Sequence, residues 1–251
     1  MKKNSEEYKL IQRLNRKLNQ GMKDYQLIAD GDHILLGISG GKDSLALAEL
    51  MAERVKKFMP KFKISAAHVV MTNINYESDH TYMKEFFNRI GVPLYIREQS
   101  FEASTDHRKS PCFLCSWTRR KELFALAREL GCNKIALGHH MDDILATLLM
   151  NMTFQGTFST MPPMLVMRKF DMKIIRPMCL IAEKDLEAYA KLREFKKLKK
   201  ECPFDKDSNR KVMGDMLKTL EKISPEARYS LWASMTNVNS ELLPIPVDTT
   251  E

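Results

Sequence analysis

The run His33-Ile34-Leu35-Leu36-Gly37-Ile38 is apolar without alternation, and it ends at Ser39-Gly40-Gly41-Lys42-Asp43-Ser44. An unbroken apolar run of strand length reads as a buried strand. The next segment places Leu45, Leu47, Ala48, Leu50, Met51 and Val55 on the apolar side of a helix. The same alternation recurs along the chain. Strands are expected over 64–71, 93–98, 134–137 and 172–176, and helices over 5–28, 78–90 and 116–130, after His140 and from Glu183 onward. Strands alternating with helices imply a doubly wound α/β fold, a parallel sheet with right-handed crossovers and helices on both faces. Ligands of such sheets bind at the carboxyl ends of the strands, where the glycine loop sits.

Two adjacent glycines let the backbone turn tightly and present its amides without side-chain obstruction. Ser39 and Ser44 add hydroxyls, and the following helix points its positive end into the loop, so the segment suits an anion. It is neither the Walker A pattern, which needs four residues between its glycines, nor the dinucleotide fingerprint of three spaced glycines. A Gly-Gly pair alone would equally suit an ordinary turn. Asp43 inside a phosphate site calls for an offsetting charge, either a magnesium ion or the helix N-terminus that it would cap.

A second cluster, Gly138-His139-His140-Met141-Asp142-Asp143, follows the strand at 134–137 and falls on the same sheet edge. It offers a magnesium site, a nucleotide contact or a proton carrier, and two aspartates at a helix start also complement its dipole.

Five cysteines are too few and odd in number for a disulfide framework in a chain of 251 residues. Cys112-Phe113-Leu114-Cys115 stands just ahead of the helix expected at 116–130, and Cys202 is the obvious third thiol; Cys132 and Cys179 read as small buried residues. Three thiolates fit a [4Fe–4S] cluster with one iron free of protein ligands, a zinc ion completed by a histidine such as His107, or a persulfide without metal.

No apolar run approaches the ~20 residues that span a bilayer, and the charged start Met1–Glu7 carries no apolar signal segment, so a cytoplasmic protein without a membrane partner is expected. The net charge of +8 points to a polyanion, with Lys191–Lys200 and Arg13, Arg16 and Lys17 as candidate phosphate-tracking faces. Solvated helix faces account for the same charges.

Ser-Gly-Gly-x-Asp-Ser resembles the pyrophosphate loop of the PP-loop ATPases, which adenylate a substrate and release pyrophosphate. Ser39–Ser44, Cys112-x-x-Cys115-Ser116, Arg119-Arg120, Gly138–Leu145, Met161-Pro162-Pro163 and the segment from Cys202 through Arg210 to Met216 together resemble the tRNA 2-thiocytidine synthetase family, in family order. The resemblance implies an enzyme that uses ATP and magnesium to adenylate a tRNA cytidine at position 32, then replaces its 2-oxygen with sulfur. It implies Ser39, Gly40, Gly41, Lys42, Asp43, Ser44, Gly138 and His139 at the nucleotide, and Asp43, Asp142 and Asp143 at magnesium or protons. It also implies Cys112, Cys115 and Cys202 on a [4Fe–4S] cluster, with sulfur from sulfide or a cysteine desulfurase system. A homodimer is implied as well. The expected layout is an N-terminal helix at 1–28, a PP-loop catalytic domain at 29–195 and a basic helical segment at 196–251 whose tail from Asn237 is loosely ordered.

Two departures stand out. Lys199 occupies the place of a family cysteine, which leaves the three-ligand set intact, and Thr72–Glu77 is shorter than the family loop. The second leaves open a different nucleoside or a non-tRNA substrate. An amine-using ligase of lysidine type is the rival within the PP-loop enzymes, though amine chemistry needs no thiolates. A zinc-stabilised nucleotide- or RNA-binding module is the rival outside catalysis.

Overall fold

The computed structural model describes residues 5–57, 59–73, 79–101, 110–168, 170–196, 198 and 209–244. Strands β1 (His33–Ile38), β2 (Lys63–Met71), β3 (Leu94–Gln99), β4 (Lys134–Leu137), β5 (Met164–Met167) and β6 (Met172–Ile175) form one sheet in the order β3-β2-β1-β4-β6-β5. All pair in parallel except β5, which runs antiparallel to β6 at the edge. The helices are α1 (Glu6–Asp24), α2 (Lys42–Val55), α3 (Thr81–Ile90), α4 (Pro111–Glu129), α5 (Met141–Gln155), α6 (Glu183–Leu192), α7 (Asn209–Ile223) and α8 (Ala227–Ser234). The doubly wound α/β expectation matches the fold. Strand β5 has no counterpart in the sequence reading, because an edge strand this short, with Leu165 and Val166 exposed, carries no periodic signal.

The pleat explains why β1 is apolar throughout. Ile34, Leu36 and Ile38 join Leu14, Leu47, Met51, Phe86 and Leu186 in the core on the side of α1, α2, α3 and α6. Leu35 points the other way, into a core with Ala67, Ile135, Ile174 and Phe124 of α4. Gly37 also faces α4, and a Cβ there would come within 2.8 Å of Leu137 Cδ2 on the neighbouring strand β4 and 3.4 Å of Leu123 Cδ1 on α4, so Leu137 would have to shift to make room for a side chain. Beneath the sheet, Lys134 is buried at the start of β4, with Nζ on Asp32 Oδ2 and, at 2.9 Å, on the carbonyl of Leu27.

Three local expectations are corrected. Helix α3 starts at Thr81, whose amide donates to Asp79 Oδ1; Ser78, where it was expected to start, lies outside the described residues. Helix α4 starts at Pro111, so Cys112 and Cys115 lie within its first turns rather than ahead of it. Ser110 is the cause: its Oγ accepts from Phe113 N at 3.2 Å, and Pro111 at the first helical position has a φ already set for the helix. On α1, Arg13 and Lys17 are ion-paired with the buried Asp185 of α6, at 2.9 and 3.8 Å, so they fasten α1 to the fold rather than forming a free phosphate-tracking face.

Contacts divide the chain into two compact units, Met1–Ile144 with Met161–Ser208, and Leu145–Thr160 with Asn209–Glu251. The sheet belongs to the first. In the second, α7 and α8 pack together, with Arg228 bonding both carboxylate oxygens of Glu221 and with Met213 and Leu217 buried. Of the tail expected to be loose, Ser240–Leu242 forms a 3-10 turn and residues 245–251 lie outside the described residues. No helix among the described residues is long and apolar enough to cross a membrane.

Candidate functional site

Strand order turns outward in both directions from the β1–β4 pair, which makes the carboxyl ends of these two strands the switch point where α/β sheets leave a crevice. Both sequence clusters emerge there.

After β1 the chain turns on Gly40, at φ +79°, and Gly41 becomes the N-cap of α2 without a side-chain cap of its own. Ser44 Oγ donates to the Gly41 carbonyl at 2.9 Å, and Ser39 Oγ accepts from Gly41 N and lies 3.3 Å from Ser44 Oγ. The hydroxyls thus brace the loop, and an uncapped helix start faces the crevice, which suits an anion. Leu198 N donates to the Gly40 carbonyl, and a Cβ on Gly40 would meet the Leu198 side chain at 2.9 Å, so the segment after α6 crosses the loop.

Lys42 does not extend to solvent. Its Nζ donates to Asp43 Oδ1 at 2.8 Å and to Glu183 Oε1, the first residue of α6, at 3.3 Å. Burial disfavours its charge, but the two carboxylates outweigh that and hold its pKa above the ordinary lysine value.

After β4, Gly138 lies on the start of α2: a Cβ there would sit 3.2 Å from the Asp43 carbonyl and the Ser44 amide nitrogen. His140 is buried, and its backbone N donates to Asp143 Oδ2 at 3.2 Å, which caps α5. Asp142 Oδ2 accepts from Glu183 N at 2.8 Å and caps α6. Both aspartates lie in the first turn of α5, where they complement its dipole as expected, whereas Asp43 does not cap α2, whose N-cap Gly41 has no side-chain cap bond. Around the His140 ring, Asp143 Oδ2 is 3.4 Å from Nε2 and Asp142 Oδ2 is 3.7 Å from Nδ1. Burial lowers the tendency of His140 to charge, yet Asp142, Asp143 and Asp43 together raise its pKa. Four carboxylates, Asp43, Asp142, Asp143 and Glu183, thus lie about Lys42 and His140, without forming by themselves a set arranged to hold a metal ion.

On the α4 side of the sheet, Cys112 and Cys115 stand one helical turn apart, the first exposed and the second half-buried against Val69, Met71 and Phe101. Both line a cavity of about 380 Å³ together with Ser116, Arg119, Arg120 and His139. His139 directly follows Gly138, so the backbone packed on α2 and the wall of the thiol cavity belong to consecutive residues. Cys132 and Cys179 are buried, and burial pushes their thiols up to about 11 and about 12, which keeps them protonated. Cys202 and His107 lie outside the described residues, and among the described residues no group of three or more His, Cys, Asp or Glu side chains is set to hold a metal. The paired thiols at the mouth of a cavity nevertheless suit a soft metal centre that a third thiolate completes.

The basic run Lys191–Lys200 is also partly internal. Arg193 bonds both oxygens of the buried Glu49, and Lys196 sits 5.7 Å over the Tyr82 ring, while Lys197, Lys199 and Lys200 lie outside the described residues. Sequence reasoning missed Glu183, read only as a helix start, and Arg176, whose buried guanidinium no apolar pattern announces.

A family profile described as PP-loop domain matches residues 10–213. The tRNA-cytidine(32) 2-sulfurtransferase of Neisseria meningitidis serogroup A is 35% identical over 243 residues, covering 95% of this chain and 76% of the relative. Its counterpart from Polaromonas naphthalenivorans is 33% identical, with 95% and 77% covered. Among solved structures, the U34-tRNA thiolase NcsA from Methanococcus maripaludis with its [4Fe–4S] cluster aligns at a TM-score of 0.71 and 25% identity, over 92% of this chain and 80% of that one.

Proposed function

This chain belongs to the PP-loop family of tRNA-cytidine 2-sulfurtransferases, and on that premise we propose that it adenylates a tRNA cytidine, that of position 32, and puts sulfur in place of its 2-oxygen. The observation that carries the reading is the adjacency of Gly138 and His139: one packs on the start of α2, and the other lines the cavity of Cys112 and Cys115. An activating site and a sulfur site so arranged can act on one base.

In this reading ATP phosphates lie on the uncapped start of α2, with Ser39, Gly40, Gly41 and Ser44 supplying amides and hydroxyls. Lys42 supplies positive charge to the phosphates, and Asp43, Asp142 and Asp143 would bind magnesium brought in with ATP, which would neutralise phosphate charge there. The cytidine 2-oxygen attacks the α-phosphorus and pyrophosphate leaves, which converts a poor leaving oxygen into that of AMP. Sulfide then attacks the activated carbon and AMP departs with the former 2-oxygen. Asp142 and Asp143 favour the charged form of the buried His140, which would offset part of their charge. A [4Fe–4S] cluster on Cys112, Cys115 and Cys202 would supply an iron free of protein ligand for sulfide, which arrives free or from a cysteine desulfurase. The protein works in the cytoplasm, where its tRNA substrate is found.

The test is mass spectrometry of nucleosides from tRNA incubated anaerobically with the purified chain, ATP, magnesium and sulfide. The expected product is 2-thiocytidine. Thiouridine instead would favour the second reading, suggested by the likeness to a U34 thiolase, and no thionucleoside at all would refute both.

A further inference from the structure

Toward its end α4 buries Phe124, Leu126 and Ala127, but its first three turns present two aromatic rings to solvent. Cys112, Phe113, Ser116, Trp117, Arg120 and Lys121 are all exposed, and at helical spacing they form two adjacent rows. The row of Cys112, Ser116 and Arg120 borders the thiol cavity. The row of Phe113, Trp117 and Lys121 lies beside it, with Phe113 46% and Trp117 50% exposed. A single exposed aromatic needs no explanation, but two of them one turn apart, with a lysine one turn further, make a continuous ridge.

The charge of this stretch is of one sign. From Pro111 to Lys121 the helix carries Arg119, Arg120 and Lys121 and no carboxylate. Glu122, the first carboxylate of α4, is turned to the sheet, where its Oε2 accepts from Gln99 Nε2 at 2.8 Å. The ridge therefore offers aromatic faces and positive charge, with no carboxylate of its own rows to repel an anion. A protein partner suits it less well, since the cores of protein interfaces are poor in lysine. Unpaired nucleotides call for this combination, a ring face for each base and a cation for the backbone. We propose that Phe113 and Trp117 form a stacking platform for unpaired nucleotides of an RNA loop, whose phosphates lie on Arg120 and Lys121. The platform holds nucleotides beside the one that reacts, because its neighbouring row is the rim of the thiol cavity. Stacking tolerates any base, so these residues position the loop without reading its sequence. The proposal rests on the reading of the chain as a tRNA-thiolating enzyme and names the residues that hold the RNA.

The experiment titrates the full chain, purified anaerobically, with an anticodon stem–loop RNA and with a fully paired duplex of the same length. Trp117 and Trp232 are the two tryptophans, so a Trp232→Phe protein reports on Trp117 alone. Its fluorescence should be quenched by the stem–loop and not by the duplex. Trp117→Ala should weaken stem–loop binding about tenfold, and Trp117→Tyr, which restores a ring, should recover most of it. The salt dependence of Trp117→Ala should match that of wild type, whereas Lys121→Met should lower the slope of log affinity against log salt by about one. Trp117→Ala should also melt with wild type and bind the ATP analogue AMPCPP equally well, which loss of a structural tryptophan would not allow. Unquenched Trp117 fluorescence, or a Trp117→Ala protein with wild-type affinity for the stem–loop, would overturn the proposal. So would a Trp117→Ala protein that binds RNA as before but passes from dimer to monomer in ultracentrifugation, because the ridge would then meet a second copy of the chain. A chain that stacks RNA on Trp117 yet forms no 2-thiocytidine would refute the thiolation reading and leave the platform standing.

Discussion

Gly138 rests directly on the backbone of Asp43, so close that a Cβ would come within 3.2 Å of the Asp43 carbonyl carbon and oxygen. The neighbour is backbone, which cannot rotate away as a side chain would. Gly138→Ala must therefore push the β4 loop and the phosphate loop apart by tenths of an ångström. Overpacking of this kind costs about 1–3 kcal/mol. The expected outcome is a folded protein whose affinity for AMPCPP falls about tenfold, read by calorimetry alongside circular dichroism; unchanged affinity would mean that the two loops act independently.

Lys42 and Glu183 make a separable pair of predictions. Lys42→Met removes the cation held between Asp43 and Glu183 and leaves their carboxylates to repel both each other and ATP. Formation of AMP should slow by about a hundredfold, the size of loss typical for a charged group at a developing anion. Glu183→Gln keeps the backbone bond to Asp142, which uses the Glu183 amide, and should cost only severalfold. If the two variants slow AMP formation equally, Lys42 acts only as part of the ion pair.

The cysteines divide by exposure. Cys112 is open and Cys115 half-open, whereas Cys132 and Cys179 are buried thiols with pKa values pushed up to about 11 and about 12. Alkylation of the native apo-protein by iodoacetamide near pH 8 should label Cys112 first and leave Cys132 and Cys179 unmodified until the chain unfolds. Cys112→Ala, Cys115→Ala and Cys202→Ala should each lose bound iron, and Cys132→Ala and Cys179→Ala should retain it. A colourless, zinc-containing wild type would exclude the cluster.

The ion pair of Asp32 with Lys134 sets an acid limit on stability. Burial alone would raise the Asp32 pKa, but the bonds from Lys134, the Ala29 amide and Asn133 win and lower it. A carboxyl lowered on folding contributes stability in full above its unfolded pKa of about 4, and that contribution is lost as pH falls through the lower folded value. Lys134→Met strands the carboxylate in the interior and should cost about 3–5 kcal/mol at neutral pH, less in acid where Asp32 can protonate. Urea melts of the variant at neutral and acidic pH would read the difference, and a penalty independent of pH would assign the loss to packing instead.

Much of this arrangement was legible in the chain. The apolar run at 33–38 and the strand–helix alternation were enough to put the glycine loop and the histidine–aspartate cluster on one sheet edge. The start of α4 was misjudged because apolar periodicity begins only near Leu123, although Ser110-Pro111 already carried the capping signal. The link from Lys42 to Glu183 joins residues 141 apart in the chain, and that from Arg13 to Asp185 spans 172, so neither leaves a local pattern. Charges in Arg13, Lys17 and Arg193 look identical in sequence to solvated ones, and only the carboxylates folded against them show that they are internal.

The central claim is that ATP is used to carry away the 2-oxygen of cytidine. Transfer RNA bearing oxygen-18 at that atom, incubated with the chain, ATP and sulfide, tests this directly by mass spectrometry of the nucleotide products. The account predicts that AMP acquires the label in step with 2-thiocytidine formation while pyrophosphate stays unlabelled. Label released into water or found in pyrophosphate would contradict adenylation of the base.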